Sequence, residues 1–137
     1  MNEKFHAIIP IRNYHVDSYG HVNNAQYLII LEEARSQALE ILGFPFEELS
    51  RQGLSIFLSE ARLRFLKPVN MGEQVEIVTW FPEHRRAKMI WQQEIYRRSD
   101  GELMATATII GGFVQSGKVI PIPPPIFAAL ARYVVKA

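Results

Sequence analysis

One long helical pattern, standing ahead of an unbroken series of period-two stretches, restricts the possible folds of this chain more than any other feature. From about Asn24 to Leu42 the apolar residues Tyr27, Leu31, Ala34, Ala38 and Ile41 recur at alternating spacings of four and three, which marks one continuous helix face. Leu28, Ile29 and Ile30 widen that face until the first turns are apolar all round, so the pattern predicts a buried helix rather than a merely docked one. Asn23 or Asn24 supplies a side-chain N-cap, and Gly43 supplies the stop. A helix of this length runs about 28 Å at 1.5 Å per residue, and strands of about eight or nine residues span a similar distance at about 3.3 Å each. One helix and one sheet of matched length can therefore wrap around each other.

The strands follow directly. Phe57, Ala61, Leu63 and Phe65 alternate with Leu58, Glu60, Arg62 and Arg64, predicting a half-exposed strand on which Glu60 is solvated. Val75, Ile77, Thr79 and Phe81 define the next strand, and Met89, Trp91, Gln93 and Ile95 the one after. Ser99-Asp100-Gly101 reads as a hairpin turn with the Asp-Gly pair that type I′ geometry prefers. Leu103 to Gln115 is the last strand; Ala105, Ala107, Ile109, Gly111 and Phe113 give it a face of mostly small side chains that lets a helix approach, and Gly111-Gly112 predicts a bulge or a close backbone contact. Residues 5–12 add a first strand, with Pro10 near an edge because it has no N–H to donate. Phe44 to Leu49 adds a helical turn, four prolines between 121 and 125 exclude a further central strand, and Ile126 to Val135 predicts a terminal helix. One early helix followed by consecutive antiparallel strands is an α+β order.

At 137 residues the chain is expected to form one domain, 1–137, without staples. It has no cysteine, which excludes disulfides, a Cys-ligated zinc and a thiol nucleophile, so its chemistry must use oxygen or water. A net charge of +1 and the lack of a basic stripe interleaved with aromatics argue against nucleic acid as a partner. The first residues read as neither a signal peptide nor a membrane span, which gives the expectation of a cytoplasmic protein. There is no Gly-x-Ser-x-Gly elbow, His-Glu-x-x-His zinc motif or phosphate loop.

The only dense cluster of polar chemistry is residues 14–27, Tyr-His-Val-Asp-Ser-Tyr-Gly-His-Val-Asn-Asn-Ala-Gln-Tyr, which run into the start of the long helix. Asp17 and His21 thus fall beside unpaired backbone N–H groups and the positive end of a macrodipole, where a developing oxyanion is stabilised. An Asp in Asp-Ser-Tyr-Gly is also a common turn former, the Asn pair is explained by capping, and Tyr27 by the core. Between two strands, His84-Arg85-Arg86-Ala87-Lys88 forms either a phosphate-holding loop or an ordinary charged hairpin.

The 14–27 segment resembles the signature of the hot-dog-fold acyl thioesterases, in particular the 4-hydroxybenzoyl-CoA thioesterase-like group. Its Gly-His-Val-Asn-Asn-x-x-Tyr part resembles the plant-type acyl-carrier-protein thioesterases. Arg64-Phe65-Leu66-Lys67-Pro68-Val69 followed by Gly72-Glu73 extends the resemblance over nearly the whole chain. The resemblance implies a hot-dog fold, one helix wrapped by an antiparallel sheet of about five strands, and hydrolysis of acyl-CoA or acyl carrier protein thioesters. Coenzyme A would then be part of the substrate, with no separate cofactor or metal.

It also implies that Asp17 is the catalytic carboxylate, as nucleophile or as general base, and that the amides near Asn23 and Asn24 are the oxyanion donors. Tyr19, Gly20 and Tyr27 would contact substrate, and Arg85, Arg86 and Lys88 would hold the coenzyme A phosphates. His21 matches the plant-type histidine. Where those enzymes carry an asparagine two residues after the aspartate this chain has Tyr19, so their three-residue apparatus does not transfer intact. Family members pair two sheets edge to edge with the site between subunits, which implies a homodimer or homotetramer, and a face carrying Trp80, Ile90 and Tyr96 is a candidate second interface. A hydratase or dehydratase on the same fold and a non-catalytic acyl-CoA-binding module are the alternatives, and fold alone does not separate the three.

Overall fold

The computed structural model describes residues 3–136. Strand β1 (Phe5–Pro10) buries Phe5, Ala7 and Ile9 and turns His6 and Ile8 outward. Helix α1 (Gln26–Leu42) is followed by the short helix α2 (Phe46–Arg51). Strands β2 (Leu54–Phe65), β3 (Gln74–Trp80), β4 (Met89–Arg97), β5 (Leu103–Gln115) and β6 (Lys118–Ile120) come next, and helix α3 (Pro124–Leu130) closes the order. The strands form one antiparallel sheet in the order β1-β3-β4-β5-β2, with β6 paired to the end of β5. Pro10 sits at the end of an edge strand, where its missing N–H costs no ladder bond.

The sheet curls around α1. Tyr27, Ile30, Leu31, Ala34, Ala38 and Leu39 of the helix pack into one core with the inward residues of β1, β3, β4 and β5. Ala105 and Ala107 of β5 are small enough to admit the helix, and Val75, Ile77, Thr79, Phe81, Met89, Trp91, Gln93 and Ile95 are all buried. This is the hot-dog arrangement, an α+β fold whose sheet has six strands among the described residues, the short β6 being an addition to the sequence reading.

Several local expectations are corrected. Leu28 and Ile29 are 37% and 53% exposed, so α1 is docked by one side, because the sheet ends at β2 and covers only that side. Strand β2 is largely exposed on both faces from Leu58 onward, since it is the open edge of the sheet. The residue before Gln26 is Ala25, which gives α1 no side-chain cap. Asn23 instead accepts the Ala25 N–H on Oδ1 (2.9 Å) and the Gln26 N–H on its carbonyl (2.9 Å), making the turn that leads in. Gly43 ends α1 in the left-handed conformation, as its position predicts.

The loop between β4 and β5 spans residues 98–102, and only Gly101 has positive φ, so it is not a two-residue type I′ turn. That geometry belongs to Ser116-Gly117 between β5 and β6, where both φ are positive (53° and 76°). The predicted terminal helix starts earlier, at Pro124, and gives way to a 3-10 turn at Ala131–Tyr133. Ile90 is buried, and Lys4 lies 3.9 Å over the Trp80 ring, so the Trp80-Ile90-Tyr96 face is not an open apolar patch.

Gly111 realises the close contact expected of it. A Cβ there would lie 2.1 Å from the Phe57 carbonyl oxygen, so only glycine lets β5 meet β2 at this point, next to the bulge between Leu58 and Glu60.

Candidate active site at the start of the long helix

The polar segment is held by backbone bonds to its surroundings. Arg12 donates its N–H to His15 Nδ1 at 2.9 Å, inside a 3-10 turn over Asn13–His15. The His15 ring is buried, and that burial lowers its pKa; Glu33 works against the shift and Arg12 with it. Val16 and Val22 bridge, and the Asp17 N–H donates to the His21 carbonyl (2.9 Å), closing a tight loop. Gly20 occupies φ +79° inside that loop, a conformation that side-chain-bearing residues rarely adopt. The Val22 N–H donates to Val69 (2.8 Å) and the Met71 N–H to Gly20 (3.0 Å), tying the loop to the β2–β3 connection.

Asp17 does form the turn, and its carboxylate also lines the site. Its Oδ1 accepts the Tyr19 N–H at 2.9 Å and the His21 N–H at 3.4 Å, while Oδ2 has no hydrogen-bond partner among the described residues. His21 Nδ1 lies 2.6 Å from Asn70 Oδ1, so the ring is oriented by a residue distant in sequence. Burial raises the pKa of the Tyr27 hydroxyl, with the Val69 backbone opposing, and the Tyr27 ring meets the edge of Phe65 at 4.9 Å.

The amides at the helix start can be accounted for one by one. Val22 N–H is spent on Val69, Asn23 N–H on the His15 carbonyl at 3.0 Å, Ala25 N–H on Asn23 Oδ1 and Gln26 N–H on the Asn23 carbonyl. Asn24 N–H alone in this run has no acceptor among the described residues. Of the two asparagine amides expected as donors, Asn23 N–H is committed to the turn and Asn24 N–H has no acceptor among the described residues.

Asp17, His21, Val22, Asn24 and Tyr27 line one open cleft of about 290 Å³, closed on the other side by Phe65, Leu66, Lys67 and Pro68. A carboxylate oxygen without a protein donor, an unpaired amide at a helix start and room for water occur together there. Those are the parts that activation of water and stabilisation of an oxyanion require.

The remaining expected residues lie elsewhere. Tyr19 is 83% exposed and outside the cleft, and Gly20 serves the turn. Arg85, Arg86 and Lys88 sit in the β3–β4 connection at the other end of the sheet. From Met89 beside that loop to Ile95, whose partner Ala105 pairs with Phe65 on the cleft wall, is about 20 Å along β4 at 3.3 Å per residue. Arg86 there lies 5.0 Å over the Phe127 ring, and Arg85 is 3.9 Å from Glu83. Glu60 pairs with Arg62 at 2.9 Å on the exposed edge, as a solvated residue.

Sequence reasoning missed His15, Asn70 and the walls from Phe65 to Pro68. His15 lay inside the quoted segment without a spacing to mark it, and Asn70 reaches His21 across 49 residues, a separation no local pattern reports.

Residues 11–130 match the model of the Thioesterase-like superfamily. The chain belongs to that family. Its relatives include the Long-chain acyl-CoA thioesterase FadM of Escherichia coli, 30% identical over 101 residues, covering 74% of this chain and 76% of that one. Another is the Acyl-acyl carrier protein thioesterase ATL3, chloroplastic, of Arabidopsis thaliana, 27% identical over 100 residues and 72% of this chain; the match spans only about half (53%) of the plant protein. Among solved structures, a hypothetical protein, TT1821, from Thermus thermophilus superposes with a TM-score of 0.86 at 27% identity, covering 92% of this chain and 96% of that one. Thioester hydrolysis is thus the general chemistry of the family that this fold and cleft represent.

Proposed function

We propose that the protein hydrolyses acyl-CoA thioesters to the free acid and coenzyme A in the cleft at the start of α1. The observation that carries this reading is that Asp17 and Asn24, whose N–H has no acceptor among the described residues, line the same cleft. The thioester carbonyl oxygen accepts from Asn24 N–H, where the helix dipole favours the negative charge that develops. Asp17 either takes a proton from the attacking water or adds to the carbonyl itself to form a mixed anhydride that water then hydrolyses; in both routes the thiolate of coenzyme A leaves and is protonated. His21, fixed by Asn70, contacts the substrate or orients the carboxylate.

The names of the relatives support coenzyme A and acyl carrier protein as alternative carriers of the acyl group. Arg85, Arg86 and Lys88 are about 20 Å from the cleft of their own chain by the strand count above, so a role for them in holding phosphates calls for a second subunit. A homodimer formed through the β2 edge is supported by what that edge and the adjacent side of α1 leave exposed: Leu58 and Phe65 (49% each), Leu66 (46%) and Ile29 (53%). Such pairing would cover apolar surface and place another chain beside the open cleft.

The test is free-thiol release from short, long and aromatic acyl-CoAs, run on the unmodified protein and on Asp17→Asn, with enoyl absorbance followed in parallel. Thiol release that Asp17→Asn loses supports the proposal. A change in enoyl absorbance without thiol release would replace it with a hydratase, and ligand binding without either would replace it with a binding module.

A further inference from the structure

Among the described residues, Arg35 is the one Arg, Lys, Asp or Glu that the fold buries, nine-tenths out of solvent on the core face of α1. Its Nη1 donates to Gln93 Oε1 at 3.0 Å, and Gln93 in turn donates to the Leu31 carbonyl and to Thr79 Oγ1, each at 3.1 Å. This network ties helix to sheet and fixes the guanidinium, yet it uses only one of five N–H donors among the described residues. No buried side-chain nitrogen or oxygen lacks a partner among those residues, so the spare donors are not sealed in protein. They reach open space.

That space is a cavity of about 140 Å³ between α1, α2 and the β2 edge, walled by Leu39, Phe46, Phe57 and Trp91 and bearing two charged groups, Arg35 and Glu32. Its size is close to that of engineered apolar cavities that take up a benzene molecule. Glu32 is near enough to act on the Arg35 charge, but no direct ion pair joins the two among the described residues. A donor and an acceptor thus face one small apolar space without satisfying each other. A hydroxyl fits between them, accepting from Arg35 and donating to Glu32, whereas a methyl group satisfies neither and a carboxylate is repelled by Glu32.

We infer that this cavity receives the far end of the acyl group and selects one that carries a hydroxyl there. The inference rests on the proposed thioester reading for the identity of the ligand as an acyl group. The cavity and the Asp17 cleft are both walled by α1 and β2, and Tyr27 in the cleft and Arg35 in the cavity stand eight residues apart on the helix, about 12 Å at 1.5 Å per residue. An acyl chain of that reach, with its thioester at Asp17, would place its free end at Arg35. Arg35 and Glu32 are thus specificity residues, removed from the reacting atoms.

Calorimetric titration with phenol and with toluene tests the cavity apart from any hydrolysis. The unmodified protein is expected to bind phenol about tenfold more tightly than toluene, the worth of a hydrogen bond to a charged group, and the preference should disappear in Arg35→Leu and in Glu32→Ala. Glu32 is exposed, so its variant keeps the test valid even if Arg35→Leu folds poorly. Equal affinities, no saturable phenol binding, or a preference that survives Glu32→Ala would overturn the assignment. In the second arm, thiol release from 8-hydroxyoctanoyl-CoA should exceed that from octanoyl-CoA in kcat/KM, and the ratio should fall in Glu32→Ala. Loss of all thiol release with the phenol preference intact would reject the hydrolase reading and keep the cavity, while the reverse outcome would reject the cavity alone.

Discussion

The start and the middle of α1 handle polar groups in opposite ways. At its start, Asp17, His21 and Asn24 sit on an open loop, exposed and held in place mostly by backbone hydrogen bonds. Two turns further on, Arg35 is buried and held by one side-chain network through Gln93 to Thr79 and the Leu31 carbonyl. The first arrangement leaves a carboxylate oxygen and an amide free beside solvent, which hydrolysis requires because water is a reactant. The second spends protein hydrogen bonds to keep a guanidinium in the core, where an unsatisfied charge would be costly. Substitutions at the wet start should therefore act on turnover, and those at the dry middle on stability and ligand choice.

The largest effect expected is on Asp17. Asp17→Asn should lower kcat by about 10³-fold, near 4 kcal/mol at the transition state. Its urea midpoint should barely move, because the asparagine oxygen still accepts the Tyr19 N–H. Steady-state thiol release and a denaturation curve on one preparation separate the two quantities.

Gly111→Ala should do the converse. The added Cβ falls 2.1 Å from the Phe57 carbonyl oxygen, so β2 must shift, at an expected cost of about 2–3 kcal/mol. Phe57 and Gly111 both wall the Arg35 cavity, so the phenol preference should weaken along with the midpoint, while kcat for short acyl groups stays within about threefold, less than 1 kcal/mol.

A smaller effect is expected at Asn70. Asn70→Ala removes the partner of His21 Nδ1 and should cost about 1 kcal/mol of stability, with a moderate loss of turnover as the His21 ring loses its orientation. The mildest effect is a pH dependence. Burial lowers the pKa of His15, and its Nδ1 accepts the Arg12 N–H only while unprotonated. Below the unfolded-state value of about 6.5, the unfolded chain binds the proton more readily than the native one, so stability falls as pH drops through that value and levels off below the native pKa. Urea midpoints measured between neutral and mildly acid pH should show this slope, and His15→Gln should reduce it.

How much of this was legible in the sequence follows from how local each feature is. The helix over 24–42 and the strands from 75 to 115 declared themselves through their periods, and Gly111 through its pairing with a second glycine. Asp17, His21, Asn24 and Tyr27 were legible because one continuous segment carries all four, and the structure brings them into one cleft. Arg35 was hidden, because a helix face read for apolar residues passes over an arginine whose partner Gln93 is 58 residues away. The exposure of Leu28 and Ile29 was hidden for another reason: periodicity states which residues are apolar, not where the sheet stops. The basic run at 84–88 was visible as charge, but its separation from Asp17 depends on strand registers that appear only in the fold.

The claim that hydrolysis takes place at the start of α1 is tested most directly by kcat for Asn24→Pro, measured beside Asn24→Ala and with the melting temperature of each. Proline removes the Asn24 N–H, which makes no bond among the described residues, at a helix start where proline is tolerated. The account predicts a loss of about 10²–10³-fold in kcat for Asn24→Pro, near-normal turnover for Asn24→Ala and little change in either melting temperature. A folded Asn24→Pro protein that releases thiol at the unmodified rate would contradict it.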